Sequence, residues 1–194
     1  MSSREKILAA VRANKPGPRE LPEVNIPVSY EGLVEKYTQV ATAIGAKVFQ
    51  VNSVDEIKAR LKDLFDASKR WVSSLPEFTD VAETDIANVD PHSLENVELS
   101  IIKPFLGVAE NGANWVPEQN VPQRIVPFIC QHLVMVLEAK SIVPTMHQAY
   151  EITAGKEYGY GAFIAGPSKT ADIEQSLVLG AHGPRSLTIF IISE

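Results

Sequence analysis

A chain of 194 residues can build one substantial core, or one domain with an appended arm. With 45% hydrophobic and 22% charged residues it reads as an ordinary soluble globular protein. Its formal charge of −6 leaves no basic footprint to pair with phosphates, which argues against a nucleic-acid binder. The single cysteine, Cys130, can form no internal disulfide and cannot by itself hold a zinc or iron–sulfur site; burial is its expected state. Residues 1–15 scatter charges and contain no apolar h-region, so no signal peptide is expected. No apolar run approaches the ~20 residues of a bilayer span. The location expected from these features is cytoplasmic.

In chain order, Ser3 to Asn14 has a capping serine, Glu5, and Ile7, Leu8 and Val11 on one helical face. "KPGPRELPEVNIP" follows, with four prolines and a glycine that forbid further helix and favour an extended strap. Residues 1–28 therefore read as an arm and 29–194 as the body. "SYEGLVEKYTQVATAIGA" places Leu33, Val34, Tyr37, Val40, Ala41 and Ile44 at helical spacing, and Gly45 ends it. "KVFQV" is a short strand. "SVDEIKARLKDLF" predicts a helix capped by Ser53, with Glu56 three residues on and Ile57, Leu61, Leu64 and Phe65 as the buried stripe. "RWVSSL" is the next strand. The alternation of helix and strand predicts an α/β fold with parallel pairing.

Further on, strands are expected around Val97 to Ile102 and Ala113 to Val116, with Gly107 to Gly112 as a turn between them. "HLVMVLEAKSIV" fits a strand, although Leu133 to Leu137 would also fit a helix. "VPTMHQAYEIT" reads as a short helix with Pro144 near its first turn. "GAFIAG" is a strand, "KTADIEQSLV" a helix and "SLTIFII" a closing strand.

The candidate chemistry is concentrated in "GPSKTADIEQSLVLGAHGPRSL", Gly166 to Leu187. Read as a strand-to-helix loop, Gly166, Ser168, Lys169 and Thr170 would offer N–H groups at a helix start, a cap and a positive charge to a small carboxylate or phosphate. The phosphate-loop spacing GxxxxGK[ST] is absent. Asp172 is either a catalytic acid or a favourable charge near the helix start, and Glu174 fits a solvated face. In "GAHGPRS", His182 beside Gly183 can bond a carboxylate and move a proton near neutral pH, or simply pin the loop. Arg185 can clamp a carboxylate bidentately or lie exposed. Glu110, in "GVAENGANW", is a nucleophile or base if its turn covers a pocket, and otherwise a polar hairpin tip. His92, His132 and His147 lack metal-ligand spacing, so no metal site is expected.

One set of residues resembles the lactate-utilisation protein C family, or LUD domain. It runs Gly166-Pro167-Ser168-Lys169-Thr170-Ala171-Asp172-Ile173-Glu174, then Gly180, His182, Gly183 and Pro184, then the strand ending at Ile192. The region Gly107 to Gly112 and the helix with its proline strap fit as well. The family usually has Ala-Glu-Thr-Gly-Thr where this chain has Ala109-Glu110-Asn111-Gly112-Ala113, so two hydroxyls are lost. The resemblance implies a three-layer, mostly parallel, NagB/RpiA/CoA-transferase-like α/β fold with an N-terminal helical arm. It implies a non-iron–sulfur subunit or accessory protein of a system that oxidises L-lactate to pyruvate, with the clusters on partner proteins and no cofactor on this chain. In that reading Glu110, His182 and Asp172 are the catalytic candidates. Gly166, Ser168, Lys169, Thr170, Gly183 and Arg185 bind a small carboxylate. Two alternatives stand beside it. Glu110-Asn111-Gly112 resembles the Glu-Asn-Gly of CoA-transferases, whose glutamate is a nucleophile, and a non-catalytic assembly module would use the Ser3 to Asn14 helix.

Overall fold

The computed structural model describes residues 2–20, 22–23, 25–173 and 176–193, with the side chains of 171–177 left aside. Helix α1, Ser3–Ala13, is capped by Ser2 rather than from within: Ser2 Oγ accepts the Glu5 N–H and the Glu5 carboxylate accepts the Ser2 N–H at 2.7 Å. None of its residues is buried. The body begins with α2, Leu33–Ala43, whose Tyr37 and Ala41 are completely buried. β1, Lys47–Val51, and α3, Val54–Leu64, follow. Ser53 Oγ accepts the Glu56 N–H as the sequence pattern implies, but the Glu56 carboxylate accepts from Asn52 instead of returning to Ser53. The buried stripe is narrower than expected. Ile57 and Leu61 are buried, whereas Leu64, in the last turn, is 37% exposed.

The remaining elements are β2 (Trp71–Ser73), β3 (Leu99–Ile102), β4 (Leu106–Val108), β5 (Asn114–Pro117), α4 (Val126–Ile129), β6 (His132–Glu138), β7 (Ile142–Val143), α5 (Met146–Thr153), β8 (Gly161–Ile164), β9 (Lys169–Ile173), β10 (Ser176–Leu179) and β11 (Ser186–Ile192). Five strands in the order β1-β11-β6-β3-β2 pair in parallel. Four strands of this sheet, β11, β6, β3 and β2, are buried along their length and are mainly apolar runs, whereas edge strand β1 keeps Lys47 and Gln50 exposed. Leu133, Met135, Leu137, Leu187, Ile189 and Ile191 face α2 and a second sheet. Val134, Val136 and Phe190 face Ile57 and Leu61 of α3. The molecule is thus three layers, with the parallel sheet in the middle. Burial on both sides also decides between strand and helix for Leu133 to Leu137 in favour of strand.

The second sheet has the order β7-β4-β5-β8, with one parallel and two antiparallel pairings. Its β4 lies where a turn was expected; the turn is confined to residues 109–113. Gly107 hid the strand because it has no side chain to pack. A Cβ there would lie 2.8 Å from Leu137 Cδ2 and 3.0 Å from Tyr37 Cε2, so close approach of the layers requires glycine. In α5, Thr145 is the cap and accepts the His147 N–H at 3.2 Å; Pro144 precedes the cap instead of entering the first turn.

The largest departure concerns "KTADIEQSLV", which is an antiparallel pair of strands and not a helix. Val178 pairs with Thr170 and Leu179 with Lys169. Thr170, Ile173 and Val178 are β-branched and suit a strand. Tertiary hydrogen bonds extend the arrangement, from Gly180 N–H to Ser168 C=O at 3.1 Å and from Ser168 N–H to Pro184 C=O at 2.9 Å. No helix among the described residues is long and apolar enough to cross a membrane.

Candidate functional site

β8 delivers the chain to Gly166, where it must turn sharply. Gly166 has φ +73°, and a Cβ on it would lie 2.7 Å from the Ile44 carbonyl oxygen at the end of α2. Only glycine meets both demands without strain. The turn brings Ser168 under the loop that precedes β11, and the Ser168–Pro184 hydrogen bond ties the two loops together. The second loop is held at its exit by a 2.8 Å bond from Arg185 N–H to Gln131 C=O.

Between the loops lies a cleft of about 300 Å³. Its polar wall holds Ser168, Lys169 and His182, with Gly166 and Gly183 beside them; its floor is apolar, from Phe128, Leu133, Phe163 and Leu187. The Lys169 ammonium donates to the Ile44 carbonyl, which leaves it further N–H donors. His182 is exposed. The cleft sits beyond the carboxyl end of β8, as the reading from sequence has it, and at the amino-terminal edge of β6 and β11 of the parallel sheet. The helix expected after Thr170 is a strand, so the helix start expected there does not form, and Ser168 and Thr170 are not helix caps. What remains is chemically simple: one ammonium, one hydroxyl and one imidazole on the rim of an apolar slot. That set matches a small carboxylate or phosphate bearing a short apolar body.

Other residues singled out from sequence stand elsewhere. Thr170 is half-buried within β9 and Arg185 is exposed outside the cleft lining. Asp172 lies on β9, with its side chain outside the described residues, as is Glu174 altogether. Glu110 is exposed, and its carboxylate accepts the Met146 N–H at 2.9 Å, at the start of α5. There it satisfies a helix N-terminus, away from the cleft lining. Cys130 is buried, and desolvation pushes its thiol up to about 11, so it is a neutral core residue. A lone neutral thiol is no ligand set for an iron–sulfur cluster.

Two features escaped sequence reasoning. The first is a buried polar link. Tyr37 O–H donates to Asn114 Oδ1 at 2.6 Å, and Asn114 Nδ2 donates to the carbonyls of Gly112 and Ile164. An asparagine opening an apolar run was its only signal. The second is a trio on the opposite face of the sheet from the cleft. His132 Nδ1 lies 2.7 Å from Ser186 Oγ, and its Nε2 lies 3.6 Å from Glu98 Oε1. The adjacent Leu133 and Leu187 line the cleft, so strand alternation turns His132 and Ser186 away from it, His132 toward Phe65. Desolvation, aided by Arg185 and Lys47 and opposed by Glu98, holds the imidazole below its ordinary range. The unfolded chain, with a histidine near 6.5, therefore takes up this proton first. Stability is full above that value and is lost as pH falls through it toward the folded value. Melting temperatures between about pH 7.5 and 5.5 are expected to fall more steeply in the natural chain than in His132→Gln. Parallel slopes would show that the group contributes nothing.

The family model for the LUD domain matches residues 91–192. A Lactate utilization protein C from Anoxybacillus flavithermus is 35% identical over 101 residues, 52% of this chain and 46% of that protein. This chain thus spans about half the length of the curated relatives it matches first. The Lactate utilization protein C of Oceanobacillus iheyensis is 21% identical over 98% of both chains. An uncharacterized Neisseria meningitidis protein is 27% identical over 99% of this chain and 94% of its own length. The crystal structure of a DUF162 family protein from Deinococcus radiodurans superposes with a TM-score of 0.64. It covers 86% of this chain and 99% of its own, at 16% identity, and shows the fold alone.

Proposed function

The chain belongs to the LUD domain family, and on that premise we propose that it serves lactate utilisation. Its role is that of a non-iron–sulfur subunit or accessory protein of a system oxidising L-lactate to pyruvate. The observation that carries this reading is the convergence of Ser168, Lys169 and His182 on one apolar-floored cleft from loops 14 residues apart at Ser168 and His182. Lys169 and Ser168 hold the carboxylate, and the apolar floor takes the methyl group. Oxidation breaks both the O–H and the Cα–H bond: His182 accepts the hydroxyl proton, and the Cα hydrogen leaves with its two electrons for an acceptor on the partner proteins. The partners that take the electrons are iron–sulfur proteins, as the family resemblance implies, and the clusters lie on them because this chain's one cysteine is buried.

The test is lactate-dependent dye reduction in an extract of the native host, depleted of this protein and supplied with it again. His182→Ala is expected to restore about 100-fold less turnover, the lower range of a lost acid–base group. Lys169→Ala is expected to raise KM about tenfold, as loss of a ground-state contact does. Full restoration by both variants would remove the cleft from the reaction.

A further inference from the structure

Helix α1 packs none of its apolar side chains into the body, among the described residues. It buries none of its residues, and Ile7, Leu8 and Val11 are 63%, 38% and 59% exposed. A helix of 11 residues is marginal in water on its own, capping box included. Arg4, Ile7, Leu8 and Val11 follow the i, i+3, i+4, i+7 spacing, so one face presents an apolar stripe with a guanidinium in it. The surrounding charge has one sign. Residues 1–19 hold five Lys and Arg against one Glu, in a chain whose net charge is −6.

The complementary charge lies in one stretch of the body. Residues 71–102 contain seven Asp and Glu and no Lys or Arg. Asp80 pairs with Lys58, Glu83 with Arg70, and Glu98 approaches His132. Asp85 and Glu95 are exposed and make no ion pair among the described residues. Between them in sequence, Ala87, Val89 and Pro91 join Ile125 around an open, mainly apolar cleft of about 520 Å³, whose one cation, Arg124, is paired with Glu118. An apolar slot whose residues 87–91 stand between Asp85 and Glu95 in the chain, in an acidic stretch, complements an apolar stripe among cations.

We propose that α1 of one copy docks on the 85–95 surface of a second copy, and reciprocally, giving a two-fold dimer with exchanged arms. The strap allows this. Residues 14–32, 19 in number, separate α1 from α2, and at about 3.1 Å per residue an extended proline-rich chain of that length reaches roughly 59 Å. Reciprocal docking closes the assembly at two copies, because each groove is filled by the other's arm. Apolar burial stabilises the contact, and the charges set its register and salt dependence.

The test is sedimentation equilibrium of the full chain in about 50 and about 500 mM NaCl, where screening separates charge from burial. A dimer is expected, with a dissociation constant about tenfold weaker at the higher salt. Ile7→Asp/Val11→Asp and deletion of residues 2–28 should both give monomer. Arg4→Glu/Arg12→Glu should give monomer too, and adding Asp85→Lys/Glu95→Lys to it should restore the dimer. A chain that is monomeric at every concentration overturns the proposal, as does a dimer indifferent to loss of the arm. If charge reversal at 85 and 95 fails to rescue, the groove assignment is overturned. Should α1 instead capture a different protein from the host while the chain itself stays monomeric, the second copy is the wrong partner.

Discussion

Gly166→Ala is expected to destabilise the protein by about 3 kcal/mol, seen as a fall in melting temperature of roughly 6–12 °C for a chain of this size. Two costs combine. A side chain at φ +73° pays about 1–2 kcal/mol for left-handed backbone. The new Cβ also stands 2.7 Å from the Ile44 carbonyl oxygen, a backbone atom that cannot swing aside, and such overpacking costs about 1–3 kcal/mol. Gly155 separates the two terms, because it has the same φ of +73° but nothing within 4 Å of an added Cβ. Gly155→Ala should therefore cost only the backbone term, about 1 kcal/mol. Thermal melts of the two variants side by side give the comparison. Equal losses would mean that the approach of Gly166 to α2 relaxes freely. Under the proposed function, Gly166→Ala also weakens lactate-dependent dye reduction beyond its effect on stability, since the Ile44 carbonyl it presses on also accepts the Lys169 ammonium.

That glycine shows what a sequence can and cannot convey about this molecule. The parallel sheet was legible in part: "SLTIFII" is the apolar run that burial on both faces demands, "HLVMVLE" is another that fitted a helix as well, and "KVFQV" is an edge strand with Lys47 and Gln50 exposed. Helices α2 and α3 were legible from periodicity and from the Ser53 cap. β4 was not, because its central residue is a glycine required by Leu137 and Tyr37, neighbours far away in the chain. The β9–β10 pair was misread because Thr-Ala-Asp-Ile-Glu has the look of a helix start. Its pairing with Ser176–Leu179, and the bonds among Ser168, Gly180 and Pro184, are tertiary facts that local pattern does not encode.

The site divides in the same way. Ser168, Lys169, His182 and Gly183 were named from loop chemistry, and they do meet at one cleft. The reason first given for an anion there, a helix start, does not hold; the hydrogen bond between two loops brings them together. Glu110 was singled out for its place on a turn, and its carboxylate is engaged by the Met146 N–H. A turn residue read in isolation does not reveal which neighbouring element its side chain will satisfy.

The other large effect is expected at Asn114, the hinge of the link that the sequence barely signalled. Asn114 and Tyr37 are both completely buried. Burial pushes the Tyr37 hydroxyl well above its ordinary range, so it stays a neutral donor, and Asn114 Oδ1 accepts from it at 2.6 Å. The amide of the same residue donates to Gly112 and to Ile164, the last residue of β8 before the cleft. One side chain therefore ties α2 to the second sheet and to the loop that carries Ser168 and Lys169. Asn114→Ala leaves the buried Tyr37 O–H without its acceptor, at about 1–3 kcal/mol, and removes the amide's bonds to the Gly112 and Ile164 carbonyls, at about 0.5–1.5 kcal/mol each. A loss of about 3–5 kcal/mol follows, enough to lower the melting temperature by roughly 10 °C or more. Tyr37→Phe removes one donor and should cost about 1–2 kcal/mol, because Oδ1 alone loses its partner. In the double variant the two losses should fall short of additive by about 1–2 kcal/mol, the coupling of groups in direct contact. Urea denaturation of the four proteins measures that coupling. Strict additivity would mean that the hydroxyl and the amide contribute independently, and the link would then be packing rather than a hydrogen bond.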